Sequence, residues 1–367
     1  MQRDAALCSG LALLLYVAAC GSNAASPGSD GGPPVDGSPP QPADSEVDAS
    51  RPDAPAPDAP DASLTPPAPC PSTGKGAVVA AGASCVVFTP EATGAAGVNA
   101  RVPHYALAPR AGASGALVVS LNGSGGSPAG VADDRAKNVY TAAVAEGHHV
   151  IGLSYRSDVA LGQLCSRSDG CYLPSRSTIV TGVYQPGAAE ELRDAVPGEG
   201  IHARLALALR YLTLTDPQGG WGAFVQPSAD PAEAVRWADV IVSGHSQGGG
   251  HAALLGKLHA VRRIVTLSSP CDQTADAPAG WLTHDLSWRT DPSQSAFGFS
   301  AETTFGPGGR PSGGDTTCSA HAAIWAAMGI DPSRRFDDAV VCAGATAHGA
   351  TVGCPENFDR LRSLYRL

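Results

Sequence analysis

Apolar residues fall into short continuous runs separated by stretches of helical spacing. Ala116-Leu117-Val118-Val119-Ser120-Leu121 reads as a buried strand, and helical spacing follows over 131–146. A second strand is predicted over 149–155, then a loop carrying Cys165 and Cys171, then a helix over 202–212. Val240-Ile241-Val242 is a strand, 252–255 lies in a helix, and 264–267 is another strand. The runs at 296–299 and 339–341 are further strand candidates, with helices over 321–328 and 358–365. Strands that are apolar throughout and alternate with helices predict an α/β fold, a mostly parallel central sheet with helices on both faces. Composition does not shift again after residue 70, so 70–367 reads as a single domain.

The first 69 residues have a different pattern. The apolar run 11–19, after Arg3, is too short to cross a bilayer and suits a signal peptide over 1–19. It ends in Val17-Ala18-Ala19-Cys20-Gly21, which resembles the lipobox of bacterial lipoproteins. That resemblance implies cleavage before Cys20, a diacylglycerol on its sulfur and a further acyl chain on its amine. Several acyl chains on one residue make a stable anchor, where one chain would be marginal. The expected location is the bacterial cell envelope, lipid-anchored or secreted, and Gly21 leaves outer-membrane sorting open. Residues 20–69 read as a disordered tether, with 13 Pro, 8 acids and one base over 21–69 and no apolar periodicity.

Charge and cysteine content sharpen this division. The chain of 367 residues has a formal charge of -10, of which the tether holds -7 and the folded part only -3. The acidity therefore describes a spacer. Without a Lys/Arg excess, a nucleic-acid partner is not expected. Of 10 Cys, Cys8 lies in the signal and Cys20 is the lipidation candidate, which leaves eight. An even count in an exported chain, with no C-x-x-C, favours disulfides over metal. Nearness suggests Cys70–Cys85, Cys165–Cys171 and Cys342–Cys354, leaving Cys271–Cys318. Gly123-Ser124-Gly125-Gly126 has neither the G-x-G-x-x-G spacing of a dinucleotide site nor the Lys of a P-loop.

The sharpest chemical signal is Ser243-Gly244-His245-Ser246-Gln247-Gly248, a G-x-S-x-G placed between a buried strand and a helix. A serine there sits in a tight, strained turn. The glycines leave room where a Cβ would collide, and the helix N-terminus aims N–H groups at the site. This segment resembles the nucleophile elbow of the α/β-hydrolase fold. Residues 116–367 are similar in order and motif to bacterial secreted serine esterases and lipases of that fold.

The resemblance implies roles for further residues. Gln247 would supply one backbone N–H of an oxyanion hole. Leu121-Asn122-Gly123-Ser124-Gly125-Gly126 would supply the other through Ser124, with Asn122 where the family usually has His. The order nucleophile, acid, histidine points to His348 as general base, in a loop after the strand at 339–341, with Gly349 allowing a tight turn. His321 reads better as helix packing, His251 as a neighbour behind the site, and His148 and His149 as structural; His284 stays open. For the acid, Asp272 follows the strand after the elbow, and Glu302 follows the strand candidate at 296–299. Asp272 is preferred for its clearer strand and neighbouring Cys271, while Asp276, Asp285 and Asp315 are outsiders. Trp221, Trp237, Trp281 and Trp288 are pocket candidates, with core packing as the plainer reading.

The expectation is a serine hydrolase of carboxylic esters working through an acyl-enzyme, with no metal or cofactor. Its partners would be a small or polymeric ester and a membrane reached through the lipid anchor. A rival from another class is a surface lipoprotein with a hydrolase-derived fold that only binds a glycan or protein. Ester turnover separates the two.

Overall fold

The computed structural model describes residues 64–72, 78, 80, 82–110, 115–129, 137–274, 277–301 and 321–367, all within the compact unit Asp58–Leu367. The signal, most of the tether, Cys20, Asp276, Glu302, Asp315 and Cys318 lie outside the described residues.

Nine strands form one sheet. They are β1 (Ala68–Pro69), β2 (Ala83–Phe88), β3 (His104–Pro109), β4 (Leu117–Leu121), β5 (His149–Leu153), β6 (Val240–His245), β7 (Arg263–Leu267), β8 (Ala296–Phe299) and β9 (Arg335–Phe336). Their order across the sheet is β1-β2-β3-β5-β4-β6-β7-β8-β9. From β5 to β9 every pairing is parallel, while β1, β2, β3 and β5 pair antiparallel. Alternate residues of the central strands face opposite sides. Leu117, Val119, Leu121, Val240, Val242 and Ile264 join one apolar cluster, and Val118, Ile241 and Val265 join the other. Both faces are dry, which is why these strands lack polar alternation.

Helices α1 (Lys137–Ala145) and α7 (Phe358–Tyr365) cover one face. Helices α2 (Asp169–Thr181), α3 (Ile201–Thr215) and α4 (Gln247–Leu258) cover the other. Helices α5 (His321–Ala327) and α6 (Ala347–Gly353) lie late in the chain.

The parallel strands fall where the apolar runs place them. The strand expected at 339–341 does not form. Val340 and Val341 are 47% and 48% exposed, and the last strand is Arg335–Phe336 instead. An isolated apolar triplet finds no neighbouring edge there, whereas Gly298 and Phe299 pair directly with Arg335 and Phe336. Helix α2 runs through the segment expected to be a loop, with Cys171 and Pro174 inside it. Ala68–Pro69, at the end of the expected tether, pair with β2.

Disulfides join Cys70–Cys85, Cys165–Cys171 and Cys342–Cys354, as nearness suggests. Cys271 is also disulfide-bonded.

Buried histidines make the fold sensitive to acid. Burial, with Arg204 adding to it, lowers the pKa of His104 to about 3. Burial lowers that of His202 to about 4 and that of His259 to about 3, the latter helped by His202. The unfolded chain binds these protons near pH 6.5, and the folded chain refuses them until pH 3–4. Their stabilisation is complete above pH 6.5 and is lost as pH falls toward 4. At pH 5 the loss is about 2 kcal/mol for His104 alone, relative to pH 8. Urea unfolding at pH 8 and pH 5 measures it, and equal stability at the two values would refute this account.

Candidate active site

Strand order reverses between β4 and β6, because β4 is followed in sequence by β5 on its other side. Crevices at the carboxyl ends of strands form at such a switch point. Both loops singled out in the sequence start there. Leu121, the last residue of β4, pairs with Gly244, and Asn122–Ser124 follow directly.

Ser246 is the N-cap of α4, with φ 55° and ψ -126°. Such a backbone costs about 1–3 kcal/mol and persists only where its surroundings hold it. Here the Ser246 N–H donates to Leu267 O at 3.0 Å, and Gly249 N–H donates to Ser246 O at 3.0 Å. Ser269 Oγ also donates to Ser246 O. The glycines are forced by contact. A Cβ on Gly244 would lie 2.2 Å from the Gly248 main chain, and one on Gly248 would lie 2.2 Å from Leu121 O. On the facing loop, a Cβ on Gly123 would lie 3.0 Å from Ser246 Cβ and 3.4 Å from its Oγ. The β4 loop therefore packs directly against the serine.

The sheet order, the elbow and the loop beside it define the architecture. The chain has the α/β-hydrolase fold. No protein-family model matches the chain, and no curated protein matches it. Solved structures resemble it distantly. An esterase from Pyrobaculum calidifontis is 13% identical over 77% of this chain and 83% of its own, with a TM-score of 0.36. Esterase B from Lactobacillus rhamnosis is 12% identical over 78% and 88%, also at 0.36. A hyperthermophilic esterase, again from Pyrobaculum calidifontis, is 16% identical over 50% of this chain, spanning only 43% of its own length, with a TM-score of 0.24.

A cavity of about 440 Å³ opens over the elbow. Ser246, Gln247, Ser124, His348 and Asp272 all line it. Among the described residues Ser246 Oγ makes no hydrogen bond, and the Ser124 N–H has no protein partner. Gln247 opens α4, where a backbone N–H lacks an intrahelical acceptor. Catalytic contacts often tighten only once substrate is bound.

His348 does not sit in a loop after a strand. It lies in the first turn of α6, capped by Thr346, whose side chain accepts from Gly349 N–H. The Cys342–Cys354 bridge closes the segment around it. Its main chain is tied to β6, the strand that leads into the elbow. His245 Nε2 lies 2.9 Å from His348 O, and since a carbonyl only accepts, the imidazole donates. The two rings are 4.7 Å apart. His245, not singled out in the sequence, thus links the last residue of β6 to the histidine segment.

Asp272 reaches the cavity but is heavily engaged. Arg176 donates to both of its carboxylate oxygens, and Trp281 Nε1 donates to Oδ2 at 2.9 Å. The Arg176 and Asp272 side chains are only 2% and 3% exposed. Arg176 Nη1 also donates to Gln247 O at 3.0 Å. No local pattern marks Arg176, because its partner is 96 positions away.

The other histidines have structural surroundings. His321 packs on Trp325, His148 Nε2 meets Tyr365 O, and His149 Nε2 meets Gly219 O. His251 is fully buried edge-on to Tyr155, with its pKa pushed well down by burial. His284 is exposed beside Asp285. None of the four tryptophans named as pocket candidates lines the cavity; Trp221, Trp237 and Trp281 are buried in the core, and Trp288 packs against that core. Among the described residues, one group could offer three metal-ligand atoms, Cys342, Cys354 and Glu356, and its two sulfurs are joined to each other.

Proposed function

We propose that the protein is a serine hydrolase that cleaves carboxylic esters through an acyl-enzyme. The observation that carries this reading is the strained Ser246 elbow, with the Asn122–Ser124 loop packed against it and His348 lining the same cavity. Ser246 Oγ attacks the carbonyl carbon as His348 takes its proton. The Ser124 and Gln247 N–H groups hold the oxyanion, and His348 then protonates the departing alcohol. Water, deprotonated by His348, frees the acid and restores Ser246. No metal or cofactor enters this sequence.

Charge bears on which carboxylate serves as the acid. A triad carboxylate stabilises the imidazolium formed in the reaction. The charge of Asp272 is already matched by Arg176 in a dry site. Glu302, placed by sequence just beyond β8, is therefore proposed to orient His348, with Asp272 supporting the elbow through Arg176. The test of the whole reading is turnover of p-nitrophenyl butyrate by the full-length chain, with labelling of Ser246 by a fluorophosphonate. No turnover and no label on Ser246 would overturn it in favour of a binding protein.

The export signal and lipobox-like segment support a lipid-anchored envelope enzyme. Mass spectrometry of the mature N-terminus is expected to find acylated Cys20. An unmodified terminus at another residue would remove the anchor from the proposal.

A further inference from the structure

We infer that the side chain of Gln247 is a positioning residue that joins the two halves of the oxyanion hole into one unit. The inference rests on the serine-hydrolase reading above. Ser124 Oγ lies 2.8 Å from Gln247 Oε1, and Leu161 N–H donates to the same oxygen at 2.9 Å. Leu161 settles the amide orientation. A backbone N–H only donates, so the oxygen of the amide, not its NH₂, must face it. With Oε1 placed there, the Ser124 hydroxyl has to be the donor. One side chain thus connects the first residue of α4, the loop after β4, and the short helix Leu161–Leu164.

The connection is needed because the two backbone donors come from segments 123 positions apart. Oxyanion donors act only when they are held about 2.7–3.1 Å from the developing charge. The β4 loop is rich in glycine, and Gly125 takes φ +64°. Its neighbours are held separately: Asn122 Nδ2 donates to Gly123 O, and Ser157 Oγ donates to Gly126 O. Ser124 is exposed, and among the described residues its hydroxyl bond to Gln247 is its one hydrogen bond. Gln247 can serve as a fixed post because it is 7% exposed and Arg176 holds its carbonyl.

Gln247 is therefore both a donor, through its main chain, and the brace of the second donor, through its side chain. Removing the Ser124 hydroxyl leaves the Ser124 N–H in place without its tie to Gln247, while Gly125 N–H still holds the loop to Ser157 O. The loss should then fall on the transition state more than on the ground state.

The experiment compares full-length wild type, Ser124→Ala and Ser124→Thr for p-nitrophenyl butyrate turnover. It also measures inhibition by butylboronic acid, which forms a tetrahedral adduct with an active-site serine. Ser124→Ala is expected to lower kcat about tenfold with KM within about twofold. Boronate affinity should fall by a similar factor, with the melting temperature unchanged. Ser124→Thr, which keeps the hydroxyl, should restore both. Gln247→Met in a Ser124→Ala background should lower kcat and boronate affinity little further, since the bond to Ser124 is already gone, and should add a loss of stability from the unpaired Leu161 N–H. Wild-type kcat and boronate affinity in Ser124→Ala, in a protein that turns over ester, would overturn the brace alone. Failure of wild type to turn over ester or to label at Ser246 overturns the hydrolase reading, and the brace with it.

Discussion

Ser246→Ala is expected to lower kcat for p-nitrophenyl butyrate by at least about 10⁴-fold and to abolish fluorophosphonate labelling, with the fold unchanged. The size follows from what remains. Without a nucleophile, the oxyanion donors and the cavity can still favour attack by water, which leaves a small residual rate. The fold should survive because Ser246 Oγ makes no hydrogen bond among the described residues. The turn is held by main-chain bonds from Ser246 N–H to Leu267 O and from Gly249 N–H to Ser246 O. Alanine at φ 55° meets about the same backbone penalty as serine. A melting temperature that fell together with activity would mean that the hydroxyl supports the turn and would remove this substitution as evidence for nucleophilic attack.

The two carboxylates should respond in opposite ways. Glu302→Gln is expected to lower kcat about 10³–10⁴-fold, because a histidine without its acid is misoriented and its cation unsupported. Its melting temperature should stay close to that of wild type. Asp272→Asn should instead act mainly on stability. It leaves the Arg176 guanidinium, 2% exposed on its side chain, without its counter-charge. Removing one partner of a buried ion pair costs about 3–5 kcal/mol. Activity should fall as well, through the loosened Gln247 carbonyl, but by less than in Glu302→Gln. Urea unfolding alongside kcat for both variants checks this. A stable Asp272→Asn protein that is nearly inactive, beside an active Glu302→Gln, would return the acid role to Asp272.

Much of the molecule can be read locally, and the parts that cannot share a cause. Strands β4 to β8 are continuous apolar runs because both sheet faces are covered. The elbow is legible because a strained serine, two close-packed glycines and a helix start are all encoded within eleven residues, 240–250. The antiparallel strands β2 and β3 are not. Ala83–Phe88 is mostly half-buried, and His104–Pro109 mixes small residues with His and Pro. Helix α2 is masked by Pro174 and by its Gly and Ser content. Arg176 and the brace from Gln247 to Ser124 depend on contacts between distant segments. Those contacts exist only once the sheet has set the distances.

The bridges Cys70–Cys85, Cys165–Cys171 and Cys342–Cys354 span 15, 6 and 12 positions. By the chain-entropy account each contributes only about 2–3 kcal/mol, since short loops have little freedom to lose. A chain whose thiols become available in order, as the proposed export would make them, can complete each of these pairs from one short stretch before the next cysteines appear. Such an order of appearance steers eight thiols away from most of their 105 possible pairings. The spacing of the cysteines thus works as a set of assembly instructions written along the chain, each read within one short stretch.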